Sequence, residues 1–168
     1  MLIFLKGERN SGKTKKVYEL YQCLKQNGIS VSGIISIAEM ENNVKKNYYA
    51  LNLYDNEKKL LASKDNICSG KKFGGYYFYE DGFDYSEKVL MENIEDRVKI
   101  IDEVGRLEIN KGGFYKILNF LIKNYRGNLI LVVRSSNLKD IVNTFCLKEY
   151  SEIEIKGSIV EDVMIKLK

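Results

Sequence analysis

The stretch Met1-Leu2-Ile3-Phe4-Leu5-Lys6-Gly7-Glu8-Arg9-Asn10-Ser11-Gly12-Lys13-Thr14 decides the reading of the fold. From Gly7 onward it matches G-x-x-x-x-G-K-[ST] at every fixed position, the pattern of a loop that wraps phosphate. The glycines let the backbone bend around an anion with no Cβ in the way. The amides from Asn10 to Thr14 then point at a β-phosphate, at a helix N-terminus whose dipole favours negative charge. Lys13 reaches the β- and γ-phosphates, and the Thr14 hydroxyl ligates Mg²⁺. The whole segment Gly7, Glu8, Arg9, Asn10, Ser11, Gly12, Lys13 and Thr14 is the expected nucleotide-binding element.

The surroundings suit that mechanism. Met1–Lys6 is an apolar run of strand character. In Lys13–Asn27, Val17, Leu20, Tyr21 and Leu24 recur at helical spacing, and Gly28 stops the helix. Val31–Ile37 reads as the next strand, completing a strand–loop–helix–strand unit. The middle has a different rhythm. Tyr48–Tyr54, Leu60–Ser63 and Phe73–Tyr79 read as short strands, with a turn at Asp55-Asn56-Glu57, and predict an antiparallel hairpin insertion over about residues 38–80. A helix is expected over Tyr85–Ile94. Strands at Arg97–Asp102, Leu129–Val133 and Glu152–Ile155 then alternate with helical stripes at Phe114–Tyr125, Leu138–Cys146 and Ile159–Leu167. This predicts a single α/β domain over 1–168, a three-layer sandwich with a mostly parallel sheet.

Composition narrows the chemistry. The chain of 168 residues has no His, so a Ser-His-Asp triad, a Cys-His dyad and His-ligated zinc are excluded. Cys23, Cys68 and Cys146 are far apart and read as free thiols. No apolar run suits a membrane span, and Met1–Leu5 is too short for a signal-peptide core, so a cytoplasmic protein without a membrane partner is expected. The net charge of +4 is too modest to argue for a nucleic acid partner.

A second acidic element lies downstream. Val98-Lys99-Ile100-Ile101-Asp102-Glu103 is an apolar strand ending in two acids and resembles the Walker B element of P-loop NTPases. There Asp102 would hold Mg²⁺ and Glu103 would orient or deprotonate an attacking water. A carboxylate beside the metal-holding Asp favours transfer to water. Charge on the γ-phosphate calls for an Arg. Arg134 directly follows a strand and is the first choice, with Arg106 and Arg9 as rivals.

Asp102-Glu103-Val104-Gly105-Arg106-Leu107-Glu108 resembles the D-E-[IV]-G-[KR]-[ML]-E signature of a nucleoside-triphosphatase family first described in thermophiles, with a cancer-related human relative. Ser32-Gly33-Ile34-Ile35 and Gly70-Lys71-Lys72-Phe73 are fainter echoes of that family's G-F-Y and G-K-Y segments. The resemblance implies a P-loop core with an antiparallel insertion, and Mg²⁺-dependent hydrolysis of nucleoside triphosphates (ATP, GTP or others) with broad base tolerance. It gives Lys13 and Thr14 the phosphate and metal roles, and Asp102 and Glu103 the acidic ones. Glu108 matches a family Glu. The sequence departs from the family in Arg9, where a Pro is usual, and in Lys15, where a Ser or Thr is usual.

Two other functions compete. A nucleotide or small-molecule kinase shares the loop, although no close Arg pair marks a lid. An ATPase stimulated by nucleic acid or another partner would use Tyr76-Tyr77-Phe78-Tyr79 with Lys71-Lys72 for stacking; an aromatic strand packing into the core explains those residues more simply. A guanine-reading switch would need N-K-x-D, and Asn110-Lys111-Gly112-Gly113 lacks the Asp.

Overall fold

Strand β1 (Leu2–Gly7) carries Ile3, Phe4 and Leu5 without exposed surface, as a central parallel strand must. The structure is a computed structural model that describes residues 1–167; Lys168, the last residue of the expected domain, lies outside them. From β1 the chain enters helix α1 (Lys13–Gln26), whose Val17, Leu20, Tyr21 and Leu24 are buried. Covering Leu20 and Leu24 completely contributes about 1.5–3 kcal/mol each. Gly28, at φ 71°, ends the helix: its amide reaches the Lys25 carbonyl, and Ile29 N–H reaches that of Leu24.

The remaining strands are β2 (Val31–Glu41), β3 (Val44–Asn52), β4 (Lys58–Ser63), β5 (Lys71–Phe73), β6 (Tyr76–Phe78), β7 (Val98–Val104), β8 (Asn128–Arg134) and β9 (Ser151–Glu154). The further helices are α2 (Glu80–Met91), α3 (Arg106–Ile109), α4 (Tyr115–Asn124), α5 (Leu138–Thr144) and α6 (Val160–Lys166). The strands form one mixed sheet in the order β5-β6-β4-β3-β2-β7-β8-β1-β9. From β2 to β9 the pairing is parallel; from β2 to β5 it is antiparallel. The α/β sandwich and its antiparallel insertion are therefore as expected.

Three boundaries differ from the sequence reading. Strand β2 continues to Glu41 and turns at Asn42-Asn43 straight into β3, so the insertion begins as an extension of a core strand. Phe73–Tyr79 is not one strand: Gly74-Gly75 turn it into the β5–β6 hairpin. Helix α2 starts at Glu80, ahead of the expected Tyr85, with Glu80 and Asp81 in its first turn. Gly82 permits this, because a Cβ there would stand 2.3 Å from the Leu60 carbonyl oxygen of β4.

Each face of the sheet has its own core. One gathers α1 and α6 side chains (Val17, Leu20, Leu24, Val163) against Ile3, Leu5, Ile100 and Val132. The other gathers α2, α4 and α5 (Val89, Leu90, Leu118, Ile141) against Phe4, Ile101 and Leu131. Near the start of β7 one polar group interrupts the apolar packing. Lys99 is fully buried, and its Nζ donates to Ser32 Oγ at 2.8 Å and to the Glu92 carbonyl at 3.0 Å. Burial pushes its pKa down from 10.5 to about 8. No helix among the described residues is long and apolar enough to cross a membrane.

Candidate active site

Parallel register brings the functional strand ends together. Gly7, at the end of β1, stands opposite Arg134 at the end of β8, and Asp102 of β7 stands opposite Val132 of β8. The β7–β8 ladder then skips a residue: Val104 pairs with Val133, leaving Glu103 unpaired in a bulge. A bulge re-aims a side chain. Here it leaves Asp102 fully buried beneath the loop and turns Glu103 into the cleft above it.

The loop Gly7–Thr14 is shaped by local geometry. Gly12 has φ 76° and precedes the first helical residue, and its carbonyl accepts the Lys16 amide. Asn10 also lies in the left-handed region, at φ 59°, which Asn tolerates better than most residues. A Cβ on Gly7 would stand 3.0 Å from Ser11 Oγ. No acid occupies the first turn of α1, so its positive end is left to an anion. Lys13 is buried and folds back over the loop, Nζ donating to the Glu8 carbonyl at 2.9 Å.

Glu103 is held from two sides. Its Oε1 accepts from Arg134 Nε at 2.7 Å, and its Oε2 lies 3.7 Å from Lys13 Nζ. The lysine, the acid and the first-choice arginine thus form one connected group. Arg106 and Arg9 are exposed on the rim of the same cleft.

The oxygens of Asp102 are buried with no hydrogen-bond partner. Burial pushes its carboxyl up to about 7, against the pull of the Thr14 hydroxyl and Lys13. A buried carboxylate without a partner is costly, and one beside a hydroxyl and an anion loop suits a hard cation with oxygen ligands. Among the described residues no three His, Cys, Asp or Glu side chains cluster as a metal site. A cation here would complete its shell with phosphate oxygens and water, as Mg²⁺ does.

Glu108 has a structural task that the sequence did not reveal. It is buried, accepting from Gly105 N–H at 2.7 Å and Phe114 N–H at 3.0 Å, which pins the chain after Glu103 to the start of α4. Gly113 lies against it: a Cβ there would stand 2.3 Å from Glu108 Oε1.

The insertion supplies the facing wall of a cleft of about 960 Å³. Lys45 Nζ donates to Asn10 Oδ1 at 3.2 Å, tying β3 to the phosphate loop. Tyr76 O–H donates to the Lys45 carbonyl at 2.9 Å, and its ring lies 5.2 Å from that of Tyr48. Burial foremost, then the neighbouring Tyr76, pushes the Tyr48 hydroxyl up to about 12. Sequence reasoning missed Tyr48 and Lys45; the only signal for them was the placement of the insertion beside the loop-bearing half. The aromatic run considered for base stacking is largely engaged within the fold. Phe78 stacks on Phe83 at 6.1 Å, and buried Tyr79 donates to the Asp65 carbonyl at 2.7 Å.

Comparison with known proteins bears on the family and the fold. The sequence model of the NTPase family matches residues 2–158. A protein of Caldivirga maquilingensis named nucleoside-triphosphatase THEP1 is 25% identical over 135 residues, covering 80% of this chain and 76% of its own. The protein of the same name from Saccharolobus solfataricus is 25% identical over 134 residues, covering 79% and 76%. Among solved structures, THEP1 of the hyperthermophile Aquifex aeolicus superposes with a TM-score of 0.76 at 22% identity, covering 100% of this chain and 99% of its own. A human cancer-related nucleoside triphosphatase gives 0.75 at 17% identity, covering 99% and 96%.

Proposed function

The chain belongs to the NTPase family, and on that premise we propose that it hydrolyses nucleoside 5′-triphosphates to diphosphate and phosphate, with Mg²⁺ and with tolerance for the base. The observation that carries this reading is the position of Glu103: a carboxylate turned into the cleft by a bulge, beside the phosphate-loop lysine and an arginine. A group placed there faces the terminal phosphate of a triphosphate wrapped by the loop.

Each residue then has a role. The loop amides and the α1 terminus bind the β-phosphate. Lys13 exchanges its bond to the Glu8 carbonyl for phosphate oxygens. Thr14 and Asp102 would hold Mg²⁺, which would supply positive charge to offset what develops on the phosphates. Lys13 and Arg134 both lie against Glu103. A γ-phosphate competes for these two cations and frees the carboxylate to orient water. Arg134 then spans the carboxylate and the charge that builds on the γ-phosphate. These groups read phosphate, which every nucleotide shares.

The test is phosphate release from ATP, GTP, CTP and UTP, with Mg²⁺ and with chelator, beside Glu103→Gln. Release from all four that needs Mg²⁺ and drops about 10²–10³-fold in the variant is expected. Equal turnover by Glu103→Gln would refute the role given to the carboxylate.

A further inference from the structure

Lys45 reaches the phosphate loop from the insertion, and a bulge sets its direction. Met40 pairs with Lys45 and Glu39 with Asn47, so the β2–β3 ladder skips Lys46. Side chains three residues apart on a regular strand point to opposite faces. With the extra residue between them, Lys45 and Tyr48 both line the cleft, alongside their ladder partners Met40 and Ala38. Lys46 turns the other way, where the Glu41 and Asp65 carboxylates match its charge at 2.6 and 3.2 Å.

The charge of Lys45 is not matched in this way. Among the described residues it has no carboxylate partner. Its Nζ donates instead to the neutral side-chain oxygen of Asn10 at 3.2 Å, on the loop itself. An amide oxygen orients an ammonium without neutralising it, so the charge stays available to an anion. The backbone that carries it is fixed from behind. Tyr76 O–H donates to the Lys45 carbonyl at 2.9 Å, and the Tyr76 ring lies 5.2 Å from that of Tyr48. Lys45 is half-buried, whereas Asn43 and Val44 before it are exposed. A cation aimed at an anion site and held there in advance is what stabilises charge that develops in a reaction. Lys45 also lines the same cleft as Glu103 and Arg134, the groups assigned to the terminal phosphate. Arg134 comes from β8 and Lys45 from β3, so the two halves of the sheet each bring one cation.

We propose that Lys45 is a further catalytic residue of the phosphate-loop site: its ammonium contacts the γ-phosphate of a bound triphosphate, and Asn10 holds it in place. The proposal rests on the hydrolytic reading above. The part played by Lys45 is electrostatic. It stays protonated throughout and passes no proton to water or phosphate; its charge offsets the negative charge that builds as the terminal phosphoryl group is transferred. Asn10 is a positioning residue and acts through the lysine. A diphosphate lacks the phosphate that Lys45 meets. The antiparallel insertion is thereby a working part of the site, bringing a charge to the loop from outside the parallel core.

The experiment measures phosphate release from ATP, and binding of ATP and ADP, all with Mg²⁺, on the full chain and on Lys45→Ala, Lys45→Arg and Asn10→Ala. Lys45→Ala should lower kcat about 10²-fold. It should weaken ATP binding several-fold and leave ADP binding unchanged. Lys45→Arg keeps the charge and should recover most of the turnover. Asn10→Ala frees the head group without removing it, so kcat should fall part of the way. Ammonium chloride supplies the severed head group. It should raise the turnover of Lys45→Ala, and not that of the parent, above sodium chloride at equal ionic strength. Equal kcat in the parent and Lys45→Ala would overturn the proposal. So would a loss that neither Lys45→Arg nor ammonium restores, which is the mark of a structural role. Equal weakening of ATP and ADP would overturn it too, since Lys45 would then serve the phosphates both share. A parent that releases no phosphate would overturn the hydrolytic reading instead, and the contact to the γ-phosphate would stand or fall on the difference between ATP and ADP binding.

Discussion

Arg134 and Glu103 grip each other across two neighbouring strand ends, Nε to Oε1 at 2.7 Å, with the arginine side chain still 42% exposed. The pair is open enough to rearrange when phosphate arrives. Arg134→Ala removes both the holder of the carboxylate and a charge beside the γ-phosphate. Turnover should fall about 10²–10³-fold, while nucleotide affinity, set mainly by the loop, shifts by only a few-fold. Single-turnover kinetics and nucleotide titration on the same preparation separate the two effects. Unaltered turnover would mean that Arg106 or Arg9 carries the charge instead.

Glu108 supports the site from below. Glu108→Ala strands the Gly105 and Phe114 amides in a buried place, at about 1–3 kcal/mol for each unpaired group. The midpoint of urea unfolding should drop accordingly, and turnover should fall with it because Gly105 follows the bulge by two residues. Glu108→Gln, which keeps a carbonyl acceptor, should recover part of both. A stable Glu108→Ala protein would show that the tie is dispensable.

Gly33 of β2 pairs with Ile100 of β7. A Cβ there would stand 2.0 Å from the Ile100 carbonyl oxygen, and φ is 130°. Gly33→Ala should cost about 3 kcal/mol or more, since both the space and the backbone conformation refuse the methyl. Thermal unfolding measures this directly; a change under about 0.5 kcal/mol, the range of neutral surface substitutions, would contradict the strand contact.

Lys99 makes a pH prediction. Its folded pKa is about 8 against an ordinary 10.5, because burial disfavours the ammonium. Between these values the unfolded chain holds a proton that the folded chain has released, so this lysine's penalty is full below about pH 8 and fades as pH rises toward 10.5. Lys99→Met removes the titration. The stability of the variant relative to the parent should therefore be highest at neutral pH and decline across that window, as denaturant melts at pH 7, 8, 9 and 10 would record. A pH-independent difference would show that the amine keeps its proton in the fold.

The parallel half was legible because its signals are local. Buried strands show as apolar runs such as Ile3–Leu5 and Leu129–Val133, and the phosphate loop carries its chemistry in consecutive residues. The antiparallel arm was less so. β2 and β3 are partly exposed past Ile35, which blurs their alternation, and the Asn42-Asn43 turn carries no glycine. Two features needed three dimensions. The Arg134–Glu103 pair depends on the register of β7 against β8, and Glu108 becomes structural only because Phe114 N–H folds back onto it. The motif gave the acids but not their partners.

The sheet ends at β5 on one side and β9 on the other. The first is three residues, Lys71-Lys72-Phe73, and the second is four, Ser151-Glu152-Ile153-Glu154. Open strand edges invite further strands from other molecules, and short, charged edges discourage them. A tenth strand laid on β5 would meet two lysines, and one laid on β9 would meet two glutamates. Like edges of two copies therefore repel, whereas β5 of one copy and β9 of another carry opposite charge, and it is the shortness of both strands that disfavours that head-to-tail pairing.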